Sequence, residues 1–144
     1  GTTVLITRGN QGMSLFERGR RGVDIPIVGG QQVVDVTGCG DTVTAAAGLA
    51  LVAGAQWREA AELANVAAGI VVMKLGAATC TCQEIVDRLQ AEAAVMYADP
   101  KTRALLTGEG ADPVASTPAV FAAFVKAETA KWAKVVKDTG VRID

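Results

Sequence analysis

The sequence contains no histidine, so it lacks the commonest general base and the commonest zinc ligand of proteins. It has only three cysteines, and an odd number argues against a disulfide framework and for a reducing compartment such as the cytoplasm. Neither sign of charge dominates, because 14 basic and 15 acidic residues leave a net charge of −1. The sequence therefore predicts no basic surface for a nucleic acid or a membrane.

Long hydrophobic runs are also absent. The longest, residues 45–55 and 64–73, are too short and too rich in alanine and glycine to span a bilayer. No signal-peptide pattern opens the sequence. Half of the 144 residues are apolar, so the chain can bury the core of one domain or of two small ones. These features predict a globular cytoplasmic protein that binds neither nucleic acid nor membrane.

The first region of the chain, residues 1–88, carries both strand and helix signals. Apolar, β-branched runs between glycine-containing turns predict four strands, at Thr3–Thr7, Met13–Glu17, Val23–Val28 and Gln32–Val36. Alanine-rich stretches then predict two helices, Asp41–Ala53 and Trp57–Lys74, each closed by a nearby glycine. Strands followed by helices that can pack closely on a sheet indicate an α/β fold.

The second region, residues 89–144, has the pattern of helices alone. Helices are predicted at Gln83–Ala98, from Asp99 through Leu106, and from Ser116 or Thr117 to Gly140. The last helix has a proline in its first turn and carries two phenylalanines and a tryptophan on one face. An isolated amphipathic helix buries nothing, so it is expected to pack on the first region, on a second copy of the chain, or on protein that this chain lacks.

The stretch VVDVTGCGDTVTAAAGLAL, residues 33–51, joins a β-branched run to a glycine-rich turn and then to a helix. Such a turn points several backbone N–H groups at one spot, where the helix dipole adds about half a positive charge. The stretch therefore predicts an anion site. Spacing alone leaves two roles open for Asp41: a helix N-cap, or a base that accepts a proton from a substrate hydroxyl. The Walker pattern with its lysine is absent.

Three segments resemble one family of enzymes. Residues 35–42, DVTGCGDT, are similar to the D-x-T-G-x-G-D signature of the ribokinase-like (PfkB) carbohydrate kinases. The segments VLITRGNQGMSLFERG and GAQWREAAELANVAAGIVVMKLGAATCT are similar to that family's nucleotide-side strands and following helix. The resemblance covers roughly Thr2 to Arg88 and implies the C-terminal, nucleotide-binding half of the ribokinase-like fold. In detail the chain most resembles the kinase modules of bacterial ADP-heptose synthesis enzymes, which phosphorylate heptose 7-phosphate with ATP.

The resemblance implies roles for eight residues. They are Asp41 as catalytic base, Gly38, Cys39 and Gly40 as an anion hole, and Thr7, Gly9, Gly12 and Asn65 on the nucleotide side. ATP and Mg²⁺ are the implied cofactors, and a nucleotide and a sugar phosphate are the implied partners. No dedicated metal cluster is visible among these residues. Cys39 replaces the small apolar residue usual in the family, and the helix N-terminus is expected to make its thiol more reactive.

Two departures from the family limit what the resemblance implies. Nothing in the chain corresponds to the family's N-terminal half, which carries the sugar-binding residues, so weak or no turnover is expected from this chain alone. Residues 92–144 instead carry a Gly-x-x-Pro loop, a Thr-Pro helix start, and the patterns Phe-x-x-Phe and Trp-x-x-Val. With these motifs they resemble the C-terminal end of solute receptors of the tripartite tricarboxylate transporter (Bug) family. The sequence thus predicts a partial kinase domain at 1–88 and a helical tail at 89–144. Two alternatives stay open: a non-catalytic remnant or assembly module that uses its terminal helix, and a fragment of a solute receptor.

The remaining polar clusters indicate ordinary structural roles. Cys80 and Cys82 have neither a histidine nor a second cysteine pair to complete a zinc site. Arginines 18, 20 and 21 fall in a predicted hairpin turn, where a solvated role is favoured over a phosphate site. Lys74 could approach a phosphate, but a lysine near a helix C-terminus is also favoured by the dipole alone.

Overall fold

The computed structural model describes residues 2–28 and 33–140, which contain three strands and five α-helices. The strands are β1 (Thr3–Thr7), β2 (Met13–Glu17) and β3 (Val23–Ile25). The helices are α1 (Cys39–Val52), α2 (Trp57–Val71), α3 (Cys82–Ala98), α4 (Pro100–Gly108) and α5 (Pro118–Thr139). The chain divides into two compact units, a first unit at Gly1–Arg88 and a second unit at Leu89–Asp144. This mixture of strands and helices confirms the predicted α/β class.

The strands form one antiparallel sheet in the order β1-β2-β3. Leu5 lies opposite Leu15, and Met13 lies opposite Ile25. Because side chains alternate along a strand, these residues share one face of the sheet, and they pack with α1 and α2 into a single apolar core. The helices contribute small side chains to that core, and these let the elements approach closely: Val43, Ala47, Ala61, Ala64 and Ala68.

Two of the predicted strands differ from the structure. The third ends at Ile25 rather than Val28, because Pro26 has no N–H to donate to a neighbouring strand. The fourth, Gln32–Val36, is wrong for the residues that can be assessed, since residues 33–36 form no strand and Gln32 lies outside the described residues. Instead, the amides of Val34 and Asp35 both donate to the carbonyl oxygen of Val72, at 2.8 and 3.2 Å.

Both helices of the first unit differ from prediction at their ends. Helix α1 begins at Cys39, two residues earlier than predicted. Helix α2 ends at Val71, three residues before the predicted Lys74, because the amides of Met73 and Lys74 donate to carbonyl oxygens three residues back rather than four. The start of α2 is fixed by Glu59, whose carboxylate accepts the Gln56 amide at 2.8 Å.

The helix starts of the second unit follow their capping residues. Asp99 caps α4 by accepting the Thr102 amide at 2.8 Å, and Thr117 caps α5 by accepting the Val120 amide at 3.4 Å. Helix α5 ends at Gly140, whose φ of +64° is a left-handed conformation that favours glycine. These boundaries confirm the predicted start and end of the last helix.

Apolar side chains in the second unit remain exposed. No residue of α4 or α5 is buried, and none of the described residues after Val71 is. In the described ranges, no helix combines the length and the apolar character that a membrane crossing requires.

Candidate active site

The site is built around the start of α1. Gly38 is the N-cap residue, and its φ of +75° lies in the left-handed region that side chains rarely adopt. Asp41 is therefore the third residue of the helix. The alternative that Asp41 serves as the N-cap is wrong, because Gly38 holds that position and no side chain caps this helix.

The first amides of a helix have no acceptor inside it, so their partners decide whether an anion can bind there. The Cys39 amide donates to the Val36 carbonyl oxygen at 3.1 Å, and the Thr42 amide donates to that of Gly38 at 3.0 Å. No described residue accepts the amides of Gly40 or Asp41. The helix start thus presents two unused N–H groups together with the positive end of its dipole, an arrangement suited to a phosphate.

The Asp41 side chain is also available to interact with a substrate. The residue is exposed, and its carboxylate makes no hydrogen bond or ion pair with any residue that the structure describes. A carboxylate with no structural partner beside unused amides can accept a proton from a bound hydroxyl.

A cavity of about 560 Å³ opens on one side of this helix start. It is lined by six of the eight residues singled out from the sequence: Thr7, Gly9, Gly12, Cys39, Gly40 and Asn65. These residues come from the β1–β2 turn, the start of α1 and the middle of α2, and the fold brings them to one place. The rest of the wall is mostly apolar and includes Val28, Val36, Ala68, Val72 and Met73, together with the charged Arg88.

The turn between β1 and β2 needs glycine where it borders this cavity. Residues Gly9–Gln11 form one 3-10 turn, and the Arg8 amide closes it by donating to the Gly12 carbonyl oxygen at 2.7 Å. Gly12 has a φ of +83°, and a Cβ there would overlap the carbonyl oxygen of Ile25. Glycine at position 12 is therefore required by the close approach of the turn to the end of β3, and at Gly9 and Gly12 the cavity wall carries no side chain.

Asn65 has a structural partner as well as a place in the cavity wall. It is 4% exposed, and its side-chain amide donates to the Pro26 carbonyl oxygen at 2.6 Å. This bond fastens α2 to the segment that comes after β3. A contact between Asn65 and a nucleotide stays a prediction.

The other two predicted residues, Gly38 and Asp41, line a second cavity of about 620 Å³. Its walls are mainly alanine and leucine from α1 and α2, including Ala46, Leu49 and Leu63. The start of α1 thus borders two cavities: Cys39 and Gly40 line the first with the predicted nucleotide residues, and Gly38 and Asp41 line the second. Such a placement can bring a phosphoryl donor and an acceptor to the same helix end.

The cysteines differ from expectation at one position. Burial raises the pKa of the Cys39 thiol, which opposes the gain in reactivity expected from the helix N-terminus. Cys80 and Cys82 are free thiols at the second cavity. Lys74 forms an ion pair with Glu84 and donates to the Thr79 carbonyl oxygen at 2.8 Å, which gives it a structural role.

The sequence gives no sign of the hydrogen bonds that Asp35 makes, and it indicates this residue only as part of the motif. Its Oδ1 accepts both the amide and the hydroxyl of Thr37, at 2.9 and 2.7 Å. Its Oδ2 accepts the Gly76 amide at 2.9 Å, across 41 positions of sequence. These donors, the Thr37 hydroxyl foremost, hold the pKa of the Asp35 carboxyl below its usual range.

Comparison with known proteins assigns the fold to a family. Residues 1–84 match the pfkB family of carbohydrate kinases, and the chain belongs to that family. This confirms the predicted resemblance.

Three relatives illustrate the likeness. The bifunctional protein HldE of Nitrosococcus oceani is 51% identical over 90 residues, which cover 62% of this chain and 19% of that protein. HldE of Geotalea uraniireducens is 40% identical over 137 residues, covering 95% of this chain and 25% of the relative. Among solved structures, Arabidopsis thaliana ribokinase complexed with ribose and ATP has a TM-score of 0.57 at 35% identity, over 60% of this chain and 28% of the ribokinase.

The matches cover only part of each relative. The chain spans about a fifth to a quarter of the HldE proteins that it matches. The Geotalea alignment also extends into residues 89–144, because it covers 95% of this chain. The likeness of residues 92–144 to solute receptors stays a prediction. The Geotalea HldE alignment reaches into the same part of the chain.

Proposed function

We propose that this chain carries the nucleotide side and the catalytic corner of an ATP-dependent carbohydrate kinase. One observation carries the proposal: six residues singled out from three separate stretches of sequence line one cavity, and one of them is Gly40, whose amide no described residue accepts. The ribokinase relative was solved with ribose and ATP, which supports the same class of ligand. In this assignment residues 1–88 form the nucleotide-binding domain, and residues 89–144 form a helical tail.

The adenine and ribose of ATP occupy the apolar part of the first cavity, between Val28 and Val72. The phosphates run toward the start of α1, past the backbone of Gly9 and Gly12. There the amides of Gly40 and Asp41, with the helix dipole, stabilise the charge of the transferred phosphoryl group. The Cys39 amide contributes less than its place in the motif implies, because it already donates to Val36.

Asp41 acts as the base. The sugar hydroxyl gives its proton to the Asp41 carboxylate while its oxygen attacks the γ-phosphorus, and the bond from that phosphorus to the β–γ bridging oxygen breaks to release ADP. The exposed, unpartnered carboxylate and its position on the second cavity support this role.

Mg²⁺ enters with the nucleotide in this proposal. The described residues hold no group of three or more acidic or cysteine ligands, which fits an ion held mainly by phosphate oxygens and water. Bound in that way, the ion neutralises phosphate charge during transfer.

The acceptor is proposed to be a sugar phosphate, specifically heptose 7-phosphate, on the strength of the likeness to the HldE relatives. The second cavity offers mostly apolar walls, so it has few groups to hold sugar hydroxyls. We therefore expect weak or no turnover from this chain alone, because a base contributes little to rate when the hydroxyl is not positioned. A cytoplasmic location is proposed because ATP and a sugar phosphate are the substrates.

A second candidate is a non-catalytic assembly module. It is favoured by one observation, the exposure of Phe121, Phe124 and Trp132 on α5. Apolar surface of this kind is found where a protein meets a partner. The two functions are compatible, since the candidate active site lies in the first unit and α5 in the second.

The test combines ATP binding with phosphoryl transfer to heptose 7-phosphate under single-turnover conditions. Asp41→Asn should leave ATP affinity unchanged and lower the transfer rate about 10²- to 10⁴-fold, because the base is lost. Asp112→Asn, at an exposed position in the loop before α5, is the matched control and should change neither quantity. Transfer that is unaffected by Asp41→Asn overturns the base. Binding without any transfer by the unmodified chain limits the function to nucleotide binding.

A further inference from the structure

We propose that Arg88 is a further nucleotide-binding residue, whose guanidinium group holds the phosphate tail of ATP in the first cavity. The inference rests on the proposed kinase function and adds a residue to which neither the glycine-rich motif nor the family resemblance assigns a role. Arg88 belongs to α3, a helix that the sequence does not connect with the site.

Arg88 is the charged residue of the first cavity. Among the described residues that line this cavity, it alone carries a full charge, and the others are apolar or neutral. Its Nε atom is shielded from solvent, so this part of the guanidinium lies against the protein. A guanidinium has five N–H donors and can therefore serve a phosphate and a protein partner at once. A positive charge on an otherwise neutral wall favours an anionic ligand.

Two other cations near the site have acidic partners and take no part in the cavity wall. Arg8, in the turn between β1 and β2, pairs with Asp24 at 3.3 Å. Lys74, in the segment after α2, pairs with Glu84. Neither cation is among the residues that line the first cavity. A phosphate bound there therefore finds its full positive charge at Arg88.

The start of α3 fixes the position of Arg88. The Thr81 amide donates to the Glu84 carboxylate at 2.8 Å, and the Glu84 amide donates back to the Thr81 hydroxyl at 3.2 Å. The ion pair of Glu84 with Lys74 fastens this first turn to the segment after α2, which also supplies Val72 to the cavity wall. Arg88 follows Glu84 by four residues, so the two lie on one face of α3, one turn apart.

The helix start alone supplies little charge for a triphosphate. The dipole of α1 is worth about half a unit charge, whereas the tail of ATP carries several negative charges. An arginine suits the remaining task, because its planar fork binds two phosphate oxygens together and stays charged at any pH that proteins meet. Arg88 should thus separate nucleotides, which carry phosphates, from nucleosides, which do not.

Three variants test this role. Arg88→Gln removes the positive charge and keeps a polar side chain, whereas Arg88→Lys keeps the charge and loses the fork. Arg103→Gln is the matched control, because Arg103 is an exposed arginine on α4 in the second unit and the substitution removes the same charge.

The experiment measures the affinities of the full chain for Mg²⁺-ATP and for adenosine by calorimetry. In Arg88→Gln we expect an ATP affinity about 10- to 100-fold weaker, because a charged hydrogen-bonded contact is lost. The adenosine affinity should stay within about threefold, since adenosine has no phosphate to lose. Arg88→Lys should lose less ATP affinity than Arg88→Gln, and Arg103→Gln should change neither affinity.

Three results would overturn the role of Arg88 while leaving the proposed function standing. They are unchanged ATP affinity in Arg88→Gln, an equal loss for ATP and adenosine, and equal ATP losses in the Gln and Lys variants. An unmodified chain that binds no ATP overturns the proposed function and this role together.

If Arg88→Gln does not fold, the unmodified chain decides through the nuclear magnetic resonance signal of the Arg88 side-chain Nε–H group. Because this nitrogen is shielded from solvent, its proton should exchange slowly enough to be observed. The signal should shift with Mg²⁺-ATP and stay in place with adenosine. A signal that does not move with saturating ATP, or that moves equally with adenosine, would contradict a phosphate contact.

Discussion

Leu15 in the first unit is 1% exposed, whereas Phe124 in the second unit, a larger apolar side chain, is 59% exposed. The first unit combines a sheet face with two alanine-lined helices, and each element covers the apolar side of another. The second unit contains α4 and α5, which both begin at capping residues, but its described residues bury no side chain. Capping thus sets where a helix lies in the sequence, while burial sets where it lies in space. The candidate site belongs to the unit in which positions are fixed by burial.

The largest effect on stability should come from truncating one apolar side chain in each unit, Leu15 in the first and Phe124 in the second. Leu15→Ala is expected to cost about 2–5 kcal/mol of unfolding free energy, because it leaves a cavity in the core. Phe124→Ala should cost about 0.5 kcal/mol or less, since the side chain is exposed. Urea unfolding of both variants measures the difference. Equal losses would mean that α5 is packed as firmly as the sheet.

Two glycines within the helices of the first unit offer a sharper contrast. A Cβ at Gly69 in α2 would lie 2.5 Å from the Val28 carbonyl oxygen, whereas a Cβ at Gly48 in α1 would meet nothing within 4 Å. Gly69→Ala should therefore destabilise by about 1–3 kcal/mol, while Gly48→Ala should stabilise by about 0.5–1 kcal/mol. Thermal unfolding measures both.

Gly69→Ala should also weaken ATP binding, because Gly69 and Val28 line the first cavity together. Gly48 is absent from that lining, so its variant serves as the control for affinity. Similar ATP affinities in the two variants would contradict the placement of the nucleotide in this cavity.

The smallest expected effect is on stability. It compares the ion pair of Lys74 with Glu84 in the first unit and that of Lys131 with Glu128 in the second. Hydrogen bonds from Lys74 and from Thr81 lower the pKa of Glu84 from 4.5 to about 2. Because the folded pKa is depressed, the stability from this carboxylate is present above pH 4.5 and is lost as pH falls toward 2. The melting temperatures of the unmodified chain and Glu84→Gln should differ at pH 7 and converge near pH 2.

Glu128→Gln in the second unit provides the comparison. Glu128 pairs with Lys131 three residues away in α5, so its loss should change helix content locally and leave the main unfolding transition of the first unit in place. A shift of the main transition by Glu128→Gln would contradict this local role. A Glu84→Gln difference that persists at pH 2 would contradict the assigned pKa.

The parts of the fold that could be predicted are those with a local cause. Thr117 followed by proline marks the start of α5 in sequence as it does in structure. Residues 33–36 could not be predicted, because their β-branched pattern is that of a strand while the partners of their backbone lie at Val72 and beyond. The same holds for the site. The motif located Gly40 and Asp41, but Ala68 and Val72 read as ordinary helix residues until the fold places them on the cavity wall.

Backbone amide shifts during a titration with Mg²⁺-ATP test the central claim most directly, since they report on both units at once. We expect shifts for Gly9, Gly12, Gly40 and Asp41, while the amides of α5 from Ala119 to Thr139 stay unchanged. The same titration with adenosine should leave Gly40 and Asp41 unshifted, because their amides face phosphate. Shifts confined to α5, or no shift at Gly40 and Asp41 with saturating ATP, would contradict a phosphate site at the start of α1.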